Sequence, residues 1–468
     1  MTRRAFLLPV LSCALFAQPA AHVKNETALD RYVAAPDPNY KWELANTIEG
    51  KGYKAYVIEL TSQKWRDEKE VDKPIWKHWL TIIRPDTVKY STGFLFITGG
   101  GNMSPAPKTP DIMLTQTALD TSAVVAELKQ IPSEPLKFAD DSKPRSEDGI
   151  IAYTWEKFLK TGDENWPLRL PMTKAAVRAM DTVTAFGKAT DGGAFNVDKF
   201  VVSGGSKRGW TTWTTAAVDK RVVAIAPIVI DVLNMEKSFE HHYRAYGFFA
   251  PSVGDYVARG LLDWEGTKEY KALEKIEDPY EYRDRLTMPK FIMNAAGDQF
   301  FLPDSSQFYW NGLKGEKILR YVPNADHGMG GTDVPKSLTA FFDSVLRDSK
   351  LPEYSWKIEP NGDFKVTSKK EPIEVKMWVA VNPDARDFRV EKVGRIYKET
   401  LLQPVKTNEW IAKAPVIEKG YAAYFVELTF GTGSKYPIKV TTEVKVSPDT
   451  YPSPAYRPAK PMGTPLSK

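Results

Sequence analysis

One short segment stands out for the chemistry its residue types and spacing permit: Val201-Val202-Ser203-Gly204-Gly205-Ser206-Lys207-Arg208-Gly209. An apolar, β-type run enters it and a helical pattern leaves it. A serine at such a junction sits on a tight turn that lifts its hydroxyl above a sheet, and small neighbours let strand and helix approach. Gly204 stands two residues before Ser206, as that geometry requires. The second glycine, Gly209, is at +3, and Arg208 occupies the usual +2 position. A serine hydroxyl is a weak nucleophile until a neutral imidazole takes its proton and a carboxylate orients that imidazole. The competing reading of the segment is a glycine-rich turn that only shapes a fold.

The order of residues downstream favours chemistry. Asn294-Ala295-Ala296-Gly297-Asp298 ends one strand-like run, and Asn324-Ala325-Asp326-His327-Gly328 ends the next, placing His327 29 positions after Asp298. Serine, then acid, then histidine is the order in which an α/β-hydrolase presents its triad. Asp298 is the expected acid and Asp231, at the end of an earlier strand, the alternative. Asp304 follows the packing residues Phe300-Phe301-Leu302, and the side chain of Asp326, adjacent to His327 in the chain, is expected to point elsewhere. Of the five histidines, His22 is at a junction, His78 lies among Trp and Ile in a strand, and His241 and His242 fall in the expected cap, on a solvated helix face or, as the alternative, in contact with substrate. The expected oxyanion donors are the Lys207 N–H and the loop Gly99-Gly100-Gly101-Asn102, where glycines admit substrate close to the backbone. That loop lacks the Gly-Lys-Ser/Thr ending of a phosphate cradle. Neither a HExxH nor an EF-hand pattern occurs, so no metal and no cofactor is expected.

Elements must position these residues. Tyr53 to Thr61, Trp76 to Ile83, Gly93 to Thr98, Ala123 to Leu128, Phe200 to Ser203, Val223 to Ile230, Phe291 to Ala295 and Ile318 to Val322 read as strands, and Lys174 to Phe186 and Leu338 to Leu346 as helices. Continuous apolar strands alternating with helices imply a mostly parallel sheet covered on both faces. The predicted fold is α/β, an α/β-hydrolase domain over 22–352 with a helical cap insertion at 231–289. After Leu351-Pro352 the texture becomes short strands and turns, predicting an antiparallel β-sandwich over 353–450. A proline-rich extended tail follows over 451–468. With Ser206, Asp298 and His327 all before that boundary, a chain ending near Leu351 is expected to keep a reactive serine.

Bulk properties limit the partners. The 468 residues carry a net charge of +5, and 42% are hydrophobic against 26% charged, ordinary globular values. No dense basic run marks a nucleic-acid surface. Residues 1–21 read as a signal peptide: Arg3 and Arg4, an apolar run from Ala5 to Phe16, then Ala17, Ala20 and Ala21. General secretory and twin-arginine export are both compatible, the protein is expected in the periplasm or outside the cell, and its mature N-terminus near residues 18–22. No segment is long enough to span a bilayer. The single cysteine, Cys13, lies inside the signal, so a chain cut after it has no thiol for disulfide, metal or nucleophilic chemistry.

Across residues 25–450 the sequence resembles the PhoPQ-activated pathogenicity-related (PqaA-like) family. The landmarks are Trp76-Lys77-His78-Trp79, Thr98-Gly99-Gly100-Gly101-Asn102, Gln130-Ile131-Pro132, Glu147-Asp148, Ile151-Ala152-Tyr153-Thr154-Trp155, Pro171-Met172, Arg178-Ala179-Met180-Asp181 and Gly204 to Trp210. The resemblance implies an α/β-hydrolase fold and supplies no substrate. Eukaryotic members of the family include a secreted proliferation-repressing signal protein, a branch for which peptidase activity has been proposed. The basic residues after Ser206 also resemble those of glucuronoyl esterases, which implies carboxylate binding by Lys207 and Arg208; ion pairs on the helix surface are the alternative. The expectation is an exported serine hydrolase acting on a small ester or peptide. An exopeptidase using Glu236 or Glu240 for a free amine is one alternative. A signalling or binding protein on an inactive scaffold is another, and the sandwich offers a surface for a partner.

Overall fold

The computed structural model describes residues 26–190 and 192–466. The signal reading over 1–21, Cys13 and His22 lie outside them. Nine strands form one sheet: β1 (Lys41–Gly50), β2 (Tyr53–Lys64), β3 (Ile75–Pro85), β4 (Thr92–Ile97), β5 (Val125–Leu128), β6 (Lys199–Gly205), β7 (Val222–Ile228), β8 (Lys290–Ala295) and β9 (Lys317–Val322). Their order is β1-β2-β3-β5-β4-β6-β7-β8-β9. β1, β2 and β3 pair antiparallel, β3 is antiparallel to β5, and every pair from β5 to β9 is parallel.

The parallel strands are apolar on both faces because helices cover both. Along β6, Val201 packs with one cluster of buried side chains and Val202 with the other, the period-two alternation of a pleated strand. One face is covered by α1 (Ala28–Ala34), α3 (Asp148–Thr161), α4 (Arg169–Lys188) and α5 (Lys207–Val218), the other by α2 (Ile112–Thr121) and α9 (Val334–Leu346). Buried hydroxyl pairs join the helices on each side, Thr173 to Thr214 at 2.7 Å and Thr117 to Thr339 at 2.9 Å. These features are those of an α/β-hydrolase fold, as expected.

Residues 41–50, where the sequence shows no strand pattern, form β1. It is an edge strand exposed along most of its length, so its residues carry no alternation of apolar and polar types to betray it. Between β7 and β8 lie α6 (Met235–Tyr246), α7 (Gly254–Ala258) and α8 (Lys268–Glu277), with short 3₁₀ turns.

The chain after β9 and α9 forms two antiparallel sheets. One holds β10 (Tyr354–Ile358), β11 (Phe364–Ser368) and β14 (Glu409–Ala412); the other holds β12 (Glu374–Asn382), β13 (Lys398–Leu401), β15 (Tyr421–Phe430), β16 (Ile438–Thr441) and β17 (Lys445–Ser447). A one-turn helix, α10 (Val390–Val393), interrupts the strands between β12 and β13. These sheets do not stand apart from the first. Phe388, Tyr397 and Phe425 belong to the same buried cluster as Leu319 and Tyr321 of β9, and the Tyr321 N–H donates to Thr441 Oγ1 at 2.9 Å. The proline-rich tail runs along the cap: Tyr456 packs against Tyr243 and Phe249, and the Lys268 N–H donates to Thr464 O.

Candidate active site

The C-terminal ends of the parallel strands carry the residues singled out by pattern. Ser206 follows β6, Asp231 lies beyond β7, Asp298 beyond β8 and His327 beyond β9, all at one sheet edge. Ser206 has φ 57° and ψ −126°, a strained turn conformation that points its hydroxyl out of the sheet. The local glycines explain why the motif departs from the usual spacing. A Cβ on Gly204 would meet the Arg208 backbone at 2.9 Å, and one on Gly209 would lie 2.8 Å from Ile228 O. Gly209, one position later than usual, is thus the helix residue pressed against β7, and the +2 position is free to hold an arginine.

His327 Nε2 lies 2.8 Å from Ser206 Oγ, and His327 Nδ1 lies 3.0 and 2.8 Å from the two oxygens of Asp298. The acid is buried and itself accepts the Phe300 N–H at 2.7 Å. The His327 N–H donates to Gln299 Oε1 at 2.8 Å, and the Phe300 ring lies 4.4 Å from the imidazole. Hydroxyl, imidazole and carboxylate therefore form one hydrogen-bonded chain able to accept and return a proton. Asp231 is not part of it. Its two oxygens take the Tyr309 and Tyr321 hydroxyls at 2.5 and 2.6 Å. Burial, with the nearby Asp298 and Asp304 carboxylates, pushes its carboxyl up to about 8 despite those hydrogen bonds.

That titration gives a stability prediction. The folded chain keeps the Asp231 proton to about pH 8, whereas an unfolded chain loses it near 3.8. The folded state binds more protons across that window, so its contribution to stability is lost as pH rises through the folded value. Asp231→Asn removes the titration. Between pH 6 and 9 the wild-type Tm is expected to fall further than that of the variant by at least about 1–2 °C, the shift that ~1 kcal/mol produces in a chain of this size. Parallel pH profiles of Tm by differential scanning fluorimetry would refute this.

The Lys207 N–H belongs to the first turn of α5, where amides have no acceptor within the helix. The glycine loop follows β4, whose last residue Ile97 is in register with Gly204 of β6. One of its expected donors is corrected: the Asn102 N–H donates to Glu134 O at 2.5 Å, and its side chain bonds Lys73 and Pro135. Gly100 and Gly101 remain as candidate donors, and the φ of 122° at Gly100 is one that favours glycine.

Lys207 and Arg208 are neither surface ion pairs nor free cations. Lys207 Nζ lies 2.9 Å from both Glu147 Oε2 and Asp148 Oδ2, and Arg208 grips Glu147 with two bonds of 3.1 and 2.7 Å. The Arg208 guanidinium also lies where a Cβ on Gly99 would be, 2.3 Å away, and Arg208 Nε donates to Ile131 O. It therefore braces the glycine loop. Burial and the Glu147 charge raise the carboxyl of Glu134, the third acid of this cluster, to about 7. Glu147 goes the other way, because the Arg208 bonds and the two cationic charges outweigh its burial.

A pocket opens beside Ser206, walled by Trp155, Trp210, Phe239, Val253, Phe300 and Phe301 among other side chains. Phe239 and Val253 come from the segment between β7 and β8, which therefore does cover the site. Asp148, Trp155 and Tyr256 in this wall were not anticipated as site residues, although Glu147-Asp148 and Trp155 stand among the family landmarks. Glu236 and Glu240 do not line it, and Glu240 pairs with Arg244.

Residues 29–389 match the family described as PhoPQ-activated pathogenicity-related protein. The chain belongs to that family. A curated relative, Autocrine proliferation repressor protein A of Dictyostelium discoideum, is 38% identical over 455 residues and covers 91% of each chain. Among solved structures, acetyl xylan esterase 1 of a Thermoanaerobacterium species matches at 13% identity and TM-score 0.47, over 68% of this chain and 92% of that one. An acetyl xylan esterase of a Paenibacillus species matches at 14% identity and TM-score 0.48, over 70% and 96%.

In this family member His78, His241 and His242 are buried, which corrects the solvated face expected for His241 and His242. His241 bonds Asp304 and the Tyr451 hydroxyl, both at 2.8 Å. Against the effect of burial, His241 and Arg386 hold the Asp304 carboxyl well below the usual range. His242 Nε2 accepts the Ala250 N–H, and burial pushes that imidazole down to about 3, so it stays neutral. His78 is likewise neutral, bonded to Ser62 Oγ and pushed down to about 4 by burial.

The segment 386–397 reaches from the C-terminal sheets to the site. The Val390 N–H donates to Gly297 O at 3.0 Å, one residue before Asp298. Asn324 and Tyr397 exchange two hydrogen bonds of 2.9 Å, three residues before His327, and the Tyr397 hydroxyl donates to Ala296 O at 3.3 Å. Both loops that carry the imidazole and its acid are thus pinned by chain beyond Pro352.

Proposed function

We propose that this protein is a serine hydrolase that cleaves an ester or amide through an acyl-enzyme. The observation that carries the reading is the continuous hydrogen-bonded chain from Ser206 through His327 to Asp298, with Ser206 on a strained turn beside an apolar pocket. Ser206 Oγ attacks the carbonyl carbon while His327 Nε2 takes its proton. The Lys207 N–H and the Gly100–Gly101 backbone receive the developing oxyanion. Collapse expels the alcohol or amine, which leaves with the proton from His327. Water, deprotonated by the same imidazole, then attacks the acyl-serine and releases the acid, returning the proton to Ser206. A fluorophosphonate is expected to add one phosphonyl group to the full chain, on the peptide containing Ser206. Modification elsewhere, or none, would refute the assignment.

A second reading, a signalling or binding protein on a hydrolase scaffold, is favoured by the name of the Dictyostelium relative, a proliferation repressor. Both readings fit export, which we propose on the basic and apolar pattern of residues 3–21. Mass spectrometry of the native protein is expected to find an N-terminus near residue 18–22, and a chain retaining Met1 would refute export by cleavage.

A further inference from the structure

We propose that the pocket beside Ser206 is an acyl pocket for short, uncharged carboxylic esters, from acetyl to butyryl. The inference rests on the serine hydrolase reading and names the substrate class of that site.

The first observation is the state of the charged groups in the wall. Five titratable side chains line it besides Ser206: Asp148, Lys207, Asp231, His242 and Tyr256. Each is already committed to protein partners. Asp148 accepts from the Tyr256 hydroxyl and from Lys207 Nζ, both at 2.9 Å. The ammonium of Lys207 also holds Glu147, and it faces the Phe300 ring, whose centroid is 5.9 Å away. The oxygens of Asp231 are capped by two tyrosine hydroxyls, and His242 Nε2 is taken by the Ala250 N–H. A substrate carboxylate would have to draw Lys207 from two carboxylates. A substrate ammonium would have to displace buried hydroxyl donors from Asp231 or the Lys207 ammonium from Asp148. The first leaves Asp148 without its cation, and the second leaves two tyrosine hydroxyls or the Lys207 ammonium unpaired; unpaired buried polar groups discriminate strongly between substrates. Apart from Ser305 and Ser238, whose hydroxyl donates to Leu233 O, the rest of the wall is aromatic and aliphatic, which suits hydrocarbon.

The second observation is size. About 40 Å³ is open to the centres of water-sized molecules. One water needs about 10–15 Å³ by that measure, so the space holds roughly three such positions. Two to four carbons fill it.

The third is direction. Ser206 and Lys207 both line the pocket, so an acyl group bonded to Ser206 Oγ, with its oxygen at the Lys207 N–H, extends into it. His327, which must protonate the departing oxygen, is not in the wall. The alcohol therefore leaves on the His327 side, outside the pocket, and its size is not limited there.

The test uses the full chain and p-nitrophenyl esters, which share one leaving group: acetate, propionate, butyrate, hexanoate, octanoate, hemisuccinate and glycinate. Each kcat/KM is divided by the rate of uncatalysed hydrolysis by hydroxide. The expected optimum lies between acetate and butyrate, with octanoate at least ~10-fold below it and the charged succinyl and glycyl esters at least ~10²-fold below. Phe239→Ala is expected to move the optimum to longer chains, and Val253→Ala, a smaller change, to do the same should Phe239→Ala fail to fold. A protein labelled at Ser206 that prefers octanoyl, succinyl or glycyl esters overturns the acyl-pocket inference and leaves the hydrolase reading standing. A protein neither labelled nor active on any of the esters overturns both.

Discussion

Replacing Ser206 by alanine is expected to abolish fluorophosphonate labelling and to lower ester hydrolysis by roughly 10⁶-fold, the loss found when a serine hydrolase loses its nucleophile. The size follows from the arrangement. His327 Nε2 is 2.8 Å from Ser206 Oγ, and among the described residues no other hydroxyl is bonded to that nitrogen, so no second nucleophile inherits the proton acceptor. Asp298→Asn is expected to cost less, about 10³–10⁴-fold in kcat, because serine and imidazole remain but the imidazole is held in the wrong tautomer. Asp231→Asn is the control, since Asp231 is bonded to Tyr309 and Tyr321 instead of His327. Circular dichroism on all three variants separates lost chemistry from lost structure. A large loss in Asp231→Asn together with an active Asp298→Asn would reverse the assignment of the acid.

Removing the chain after Leu351 is expected to silence Ser206, with labelling slower by at least ~10²-fold even in whatever fraction stays folded. The triad lies wholly before that point, which is why the sequence led to the opposite expectation. The structure supplies the reason for the change. Val390 holds Gly297, beside Asp298; Tyr397 holds Asn324, near His327, and Ala296. A misplacement of about 1 Å in such a chain is enough for a 10²-fold loss. The cut would also expose apolar surface of β9 now covered by Phe425 and β16, an interface closer to a shared core than to the polar contact between separable domains. Asn324→Ala in the full chain isolates the positioning effect: kcat is expected to fall while KM and far-UV dichroism change little. A truncated, folded chain labelled as fast as the full one would refute the claim.

The parallel part of the sheet was legible because its strands are buried on both faces, so they are continuous apolar runs punctuated by glycine turns. β1 was not, because an exposed edge strand is under no such demand. The short strands β13 and β14 and the single turn of α10 were missed for a similar reason: each is only four residues long, too few to show a period.

Ser206, Asp298 and His327 could be named from the chain because each occupies a defined place at the end of a strand and their order is that of a known arrangement. What the order could not decide was the acid, since Asp298 and Asp231 both follow strands and both are buried. Tertiary structure separates them by giving Asp231 to two tyrosines some eighty to ninety positions away in sequence and Asp298 to His327. The fates of Lys207 and Arg208 were open for the same reason. A basic residue after the nucleophile reads alike whether it meets a substrate carboxylate or the carboxylates of Glu147 and Asp148, some sixty positions earlier. Local pattern determines which residues sit on turns, strands and helix faces, because those depend on neighbours in the chain. Which charges neutralise one another, and which domain holds the loops still, depends on distances through space that no spacing along the chain records.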